Sequence, residues 1–262
     1  MTDLARRALS VTQALLALGN EQFEAEGATF VRNRSFTEIR DANHLARVAA
    51  TTSDEIDQLL ERVEREFAGY PHRRFDLDLS TPFALEPRLA FEGYQRSDLL
   101  VMALEHDLAG EAKPHDIRLV EDGAGWDRYA ALHEIDWQGY SEDLPPSAGK
   151  WLADAMYRSR RVKSPPTRYW LAYVDGEARA YLTSWEGSDG VGQVEDLFTH
   201  PDFRHRGLAT ALIHRGVADC RERGAGPVVI VADPQDTPKQ MYAGLGFRPV
   251  AMKREYWKNV AD

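Results

Sequence analysis

Between residues 194 and 210 the chain reads Val-Glu-Asp-Leu-Phe-Thr-His-Pro-Asp-Phe-Arg-His-Arg-Gly-Leu-Ala-Thr. An apolar stretch gives way to a short basic loop, and a glycine then opens a segment suited to a helix. The start of a helix presents unpaired N–H groups and the positive end of its dipole, so such a turn attracts anions. Gly207 lets the backbone approach a ligand closely, the small Ala209 leaves room, and Arg204 and Arg206 add positive charge. The chemistry suggested is the cradling of a phosphate. No glycine-rich run ends in Gly-Lys-Ser/Thr and no G-x-G-x-x-G follows a strand, so the two commoner nucleotide loops are missing from the sequence.

Those residues need elements to hold them. Gln193–Thr199 reads as a strand, about Gly207 to Arg223 as a helix, and Pro227–Val231 as an apolar, β-branched strand. Thr237, Pro238 and Gln240 have the order of a capping box that starts a further helix. Gly246 ends that helix, and Phe247–Val250 and Met252–Trp257 follow as strands. Upstream, Ile117–Val120 is a strand, and helices near Trp126–Ile135 and Ala148–Arg160 flank a Pro145-Pro146 loop. Tyr169–Val174 and Arg179–Trp185 flank Asp175-Gly176, a two-residue hairpin turn.

The first half has the same rhythm in shorter form. Leu4, Ala8, Val11, Leu15 and Leu18 mark one face of an amphipathic helix, read as packed rather than as a signal peptide. Thr29–Val31 and Leu45–Ala49 read as strands. Thr52 with Glu55 forms a capping box for a helix whose inner face is Ile56, Leu60, Val63 and Phe67. Phe75, Leu77 and Leu79 alternate with Asp76 and Asp78, the pattern of a half-buried strand. A short helix near Phe83–Phe91 and a strand Leu99–Leu104 precede a linker at Gly110–Asp116. Strands alternating with helices around a mixed sheet define an α/β (α+β) fold. The segment from Arg88 to Tyr94 can be laid on Met241 to Phe247, matching Gly93-Tyr94 with Gly246-Phe247 and setting Leu89 opposite Tyr242, which suggests an internal duplication.

Bulk properties exclude several classes. The 262 residues carry 32 Lys plus Arg against 42 Asp plus Glu, a net charge of -10. That balance argues against binding to a nucleic-acid backbone. No apolar run is long enough to cross a bilayer. The single cysteine, Cys220, forms no internal disulfide and suits a reducing, cytoplasmic setting. It reads as a small buried apolar residue. His133, His200, His205 and His214 lack metal-ligand spacing, so no metal is expected.

The run Pro201-Asp-Phe-Arg204-His-Arg-Gly207-Leu-Ala209 resembles the acyl-CoA signature of the GNAT acyltransferase superfamily, Pro-x-x-Arg/Gln-x-x-Gly-x-Gly/Ala. The superfamily's second marker, a tyrosine shortly before Leu-Gly-Phe, stands at Tyr242 and Leu245-Gly246-Phe247. The resemblance covers about residues 116–258. It implies two units, 1–112 and 116–262, each a mixed, mostly antiparallel twisted sheet flanked by helices. It implies an opening between the strands Gln193–Thr199 and Pro227–Val231, where the pantetheine arm of acetyl-CoA or another acyl-CoA bonds the backbone of Leu197, Phe198 and Thr199. The pyrophosphate would lie on the N–H groups of His205, Arg206, Gly207, Leu208, Ala209 and Thr210, beside Arg204.

By the same resemblance Tyr242 protonates the departing thiolate, a role open to a phenol that is neutral at physiological pH. Glu195 is the candidate base, taking the proton of an attacking amine directly or through water, with Glu186 and Asp196 as weaker acidic candidates. Strand alternation puts Glu195, Leu197 and Thr199 on one face and Val194, Asp196 and Phe198 on the other. The acceptor pocket is expected to draw on Glu134, Trp137, Tyr140, Trp185 and Asp196.

The first half carries neither marker and is expected to be a degenerate GNAT-like unit without cofactor binding, as in tandem members that include mycothiol-synthase-like ones. The expected activity is acyl transfer to a primary amine in a ternary complex, by a monomer or homodimer with a small-molecule acceptor. The alternatives are a non-catalytic acyl-CoA-binding or sensing protein and a mycothiol-synthase-like acetyltransferase. Small amine, amino acid, antibiotic and protein amine all remain open as acceptors, with a tilt toward a cationic small amine.

Overall fold

The computed structural model describes residues 3–140 and 146–260. The chain divides into two compact units, Met1–Val101 with Ala232–Lys239 and Pro249–Asp262, and Met102–Val231 with Gln240–Arg248. The expected division at 112/116 is therefore displaced: the first unit closes at Val101, and it takes in Ala232–Lys239 and the last strand besides.

In the first unit α1 (Asp3–Ala17) is followed by β1 (Glu21–Ala25), β2 (Ala28–Arg32), β3 (His44–Ala46), α2 (Ser53–Glu66), β4 (His72–Leu77), α3 (Leu85–Phe91) and β5 (Gln95–Leu104). The second unit starts with β6 (Asp116–Leu119), α4 (Gly123–Tyr140), α5 (Pro146–Arg161), β7 (Arg168–Val174) and β8 (Glu177–Ser188). It continues through β9 (Val191–Thr199), α6 (Leu208–Glu222), β10 (Val228–Ala232) and α7 (Pro238–Gly244), before β11 (Arg248–Asn259) ends the chain.

Strands of the first unit lie in the order β1-β2-β3-β4-β11-β5, those of the second in the order β10-β9-β8-β7-β6. β11 pairs antiparallel with β4 from Arg254 opposite Leu77 to Asn259 opposite His72. That pairing explains why the strand groups with the first unit. Each unit's strands are mixed in direction, with a parallel pair β3–β4 in the first and β9–β10 in the second, and helices flank them. The expected α/β (α+β) class is the one observed.

Local chemistry accounts for the joints. Asp175 and Gly176 sit at φ 51° and 81° in the turn between β7 and β8, the left-handed pair that a tight hairpin needs. Thr52 accepts from the Glu55 amide while the Glu55 carboxylate accepts at the start of α2, so the capping box is present. α3 and α7 end alike. The amide of Tyr94 donates to Leu89 O and that of Phe247 to Tyr242 O, both at 3.0 Å, across Gly93 at φ 81° and Gly246 at φ 106°. These are the same glycine-terminated helix ends, at the positions that the internal match aligns.

One expectation of the first half fails. β4 is buried on both faces rather than alternating, and Asp76 is fully buried. Arg74 Nε and Lys253 Nζ stand 2.7 and 3.2 Å from its carboxylate. Pairing with β11 brings the lysine that makes this burial affordable.

The core of the second unit lies between the sheet and α4 and α5. It holds Trp126, Tyr129, Leu132, Tyr169, Tyr181 and Phe198. α6 covers the other face at close range. A Cβ at Gly216 would come within 2.5 Å of Leu182 and 2.9 Å of Val194, so this glycine sets the distance between helix and sheet. Asp219 ties α6 down further, accepting from Ser184 Oγ and Arg168 Nη1 at 2.6 Å each.

Candidate active site

The anion turn is built as its residues dictate. A 3-10 turn, Pro201–Phe203, follows β9, and its first residue is fixed by proline. His205 and Gly207 then adopt φ 61° and 90°, and Gly207 caps α6 with no side-chain hydrogen bond of its own. Among the described residues, none of the amides from His205 to Thr210 donates to a backbone acceptor. Arg204 and Arg206 stay at the surface, with Arg204 Nε 3.3 Å from Thr199 O and Arg206 Nη2 3.2 Å from Asp202 O. A run of open amides at a helix start, with two surface arginines in the loop that leads to it, fits a diphosphate.

Two residues not foreseen in the sequence border this turn. A Cβ at Gly207 would lie 3.5 Å from His115 Nε2 and 3.8 Å from Lys113 Cδ. His115 and Lys113 belong to the stretch expected as a linker, whose composition gives no hint of where it packs.

The first unit contrasts with this. At the start of α2 the Glu55 carboxylate accepts from the amides of Thr51 and Thr52 at 2.8 and 3.0 Å, bonds that hold its pKa down to about 2. A side chain of the protein itself thus occupies the position that an anion would take. A hollow of about 240 Å³ beside it is lined by Glu26, Gly27 and Glu55, with the wrong sign of charge for a phosphate.

β9 departs from regular alternation. Tyr181 pairs with Phe198 and Thr183 with Glu195, so two steps on β8 face three on β9. The extra residue is a β-bulge, and Asp196 takes φ 54° there. Tyr181 and Thr183 share a face, so Glu195 and Phe198 do too, and the expected grouping of Glu195 with Leu197 and Thr199 is overturned. Periodicity of two assumes an even count on both strands, and the bulge breaks it. Beyond Gln193 no pair joins β9 to β10 among the described residues, the last being Val229 with Gln193. The end of β9 therefore has an unzipped edge where the opening was expected.

Glu195 is half-buried on the face covered by α4 and α5, and Gln193 Nε2 donates to its Oε2 at 2.8 Å. Trp185, opposite Gln193, is buried on the same face. Tyr242 is buried in α7 with its ring 6.3 Å from that of Phe247. Of the other expected pocket residues, Glu134 lies 3.7 Å from Lys150 Nζ, and Trp137 stacks 6.0 Å from His133. Pro145 of the expected loop and the side chain of Tyr140 lie outside the described residues, and Pro146 is the first residue of α5. Asp196 and Glu186 are both engaged, by Arg160 at 2.5 Å and by Arg223, which removes them as free bases.

Tyr181 donates to Asp136 Oδ2 at 2.6 Å, and burial raises the Asp136 pKa. Burial next to Arg160 pushes His133 down to about 2, so it is neutral. Cys220 is buried and its thiol, pushed up to about 12 by burial, is no nucleophile. Among the described residues no helix is long and apolar enough to cross a membrane, and no group of three or more His, Cys, Asp or Glu could hold a metal.

Residues 129–247 match the Acetyltransferase (GNAT) family. An acetyltransferase of Pectobacterium atrosepticum is 32% identical over 102 residues, which are 38% of this chain and 71% of that protein. The chain belongs to the GNAT acetyltransferase family. A mycothiol acetyltransferase of Thermobispora bispora is 29% identical over 144 residues, 51% of this chain, and the match spans only 47% of that relative. The solved structure of a GCN5-related N-acetyltransferase from Kribbella flavida shares the fold across 100% of this chain and 97% of its own, with TM-score 0.72 at 17% identity.

Proposed function

We propose that the chain transfers an acetyl group from acetyl-CoA to a primary amine, using one competent site in the second unit beside a first unit that binds no cofactor. The observation that carries this is the run of open amides from His205 to Thr210, with the surface arginines Arg204 and Arg206 in the same loop. Those groups would hold the pyrophosphate, and the unzipped end of β9 at Leu197, Phe198 and Thr199 would accept the pantetheine amides as an added strand does.

Acetyl-CoA supplies an activated thioester as acyl donor. Glu195 takes the proton from the acceptor's ammonium, which frees the nitrogen lone pair to form the C–N bond. As the C–S bond breaks, Tyr242 gives its proton to the sulfur, the nitrogen sheds its remaining excess proton to the tyrosinate directly or through water, and free CoA thiol leaves with a neutral amide. A backbone N–H near Phe198–Thr199 stabilises the oxygen of the acyl carbon meanwhile. Glu134, Trp137 and Trp185 border the space for the acceptor, and a half-buried carboxylate such as Glu195 favours a cationic small amine.

Titration calorimetry with CoA, followed by release of free thiol from acetyl-CoA across a panel of small amines, amino acids and peptides, tests the reading. Binding with amine-dependent thiol release is the expected result. No association with CoA would defeat it, and binding without turnover on a broad panel would mark a sensing protein instead.

A further inference from the structure

The extra residue of β9 is held from outside its own strand. Arg160, near the end of α5, sends Nη2 to within 2.5 Å of Asp196 Oδ1, the one carboxylate within ion-pair distance of it among the described residues. Its charge interacts with those of Asp196 and of three wholly buried tyrosines, Tyr129, Tyr169 and Tyr181. The end of α5 is fixed as well, because Tyr169 donates its hydroxyl proton to Arg160 O at 2.5 Å. Asp196 meanwhile occupies φ 54°, a conformation that a strand residue other than glycine holds only when its surroundings enforce it. No sequence pattern marks this pair, since Arg160 is one of three arginines, with Arg158 and Arg161, in the last turn of α5.

We propose that Arg160 is a positioning residue for acyl transfer: through Asp196 it clamps the bulge of β9 and so fixes Glu195 and the backbone of Leu197 and Phe198 in their working arrangement. The proposal rests on the transferase reading above. A bulge of this kind re-aims side chains and frees backbone groups from the ladder. Without the clamp, β9 can relax toward regular alternation, which would turn Phe198 away from the face that holds Glu195.

The test uses the full chain and the variants Arg160→Met, Arg160→Lys, Asp196→Asn and the double Arg160→Met/Asp196→Asn. The last leaves no buried charge unpaired and keeps the experiment decisive should Arg160→Met fold poorly. Arg160→Met and the double variant should each lose about 30-fold in kcat, with acetyl-CoA affinity by calorimetry within about threefold of the wild type. Arg160→Lys should recover part of the loss. Amide exchange should quicken by about tenfold or more at 195–198 while β7 stays protected. A kcat within about twofold of wild type in the double variant, or exchange quickened throughout the unit, overturns the proposal. A wild type that acetylates nothing defeats the transferase reading and this proposal together, whereas an active wild type beside an equally active double variant defeats the proposal alone.

Discussion

Gln193 and Glu195 stand two residues apart on one face of β9, and the amide nitrogen of the first donates to Oε2 of the second at 2.8 Å. The bond fixes the direction in which the carboxylate points. Glu195→Gln removes the proton acceptor and should lower kcat by about 10²–10⁴-fold with little change in the acetyl-CoA KM. Gln193→Ala leaves the acceptor but lets it swing, and a loss of about tenfold is expected in steady-state assays.

Tyr242 is set by the glycine-terminated end of α7, and its replacement by phenylalanine keeps the ring against Phe247. Tyr242→Phe should therefore preserve stability and acetyl-CoA binding and lower kcat by about 10²-fold or more. Donors with a better thiol leaving group should suffer less, a pattern that steady-state kinetics with activated thioesters would show. Equal losses with every donor would remove the tyrosine from the leaving-group step.

Gly207 takes φ 90° and is approached by His115 and Lys113. An alanine there is strained in conformation and narrows the turn. Gly207→Ala should raise the acetyl-CoA KM by about tenfold or more while kcat at saturation changes little. Calorimetry on the same variant should show the matching loss in CoA affinity.

His44 is wholly buried in the first unit, and burial pushes its pKa down to about 4 from a reference of 6.5. The unfolded chain binds a proton on this group below 6.5, whereas the folded chain resists doing so until about 4. Stability is thus fully present above the unfolded value and falls as pH drops through this window, by about 3 kcal/mol at its foot. Urea melts between pH 7 and 4 should show that decline, and His44→Gln should flatten it.

Cys220 accepts no role in the chemistry. Its Sγ donates to Trp185 O at 3.2 Å, and burial keeps the thiol protonated. A thiol-specific reagent should leave native protein unlabelled and fully active, and label one site only after denaturation. Inactivation in step with labelling would contradict this placement.

Much of the fold was legible because the signals were local. The turn at Asp175-Gly176, the box of Thr52 with Glu55 and the glycine ends at Gly93 and Gly246 each depend on neighbours within a few residues. β1 is hard to read because only two of its five residues, Phe23 and Ala25, are apolar, too short an alternation to stand out at an exposed edge. The buried Asp76 escaped because its partner Lys253 comes from the far end of the chain. At the site, the anion turn and Tyr242 were marked by motif, but the bulge at Asp196 was not. Its cause lies in Arg160, on another element, and period-two reasoning cannot register an added residue.

The place of β11 in the sheet of the first unit bears on how the protein is made. Arg254 bonds Glu86 across 168 positions of sequence, so β4 must wait during synthesis for a strand made much later. Until then β4 offers an open flank, and the charge of Asp76 lacks its lysine. Synthesis from the N-terminus would ordinarily let a leading domain mature first. Here the second unit can collapse before the first is sealed.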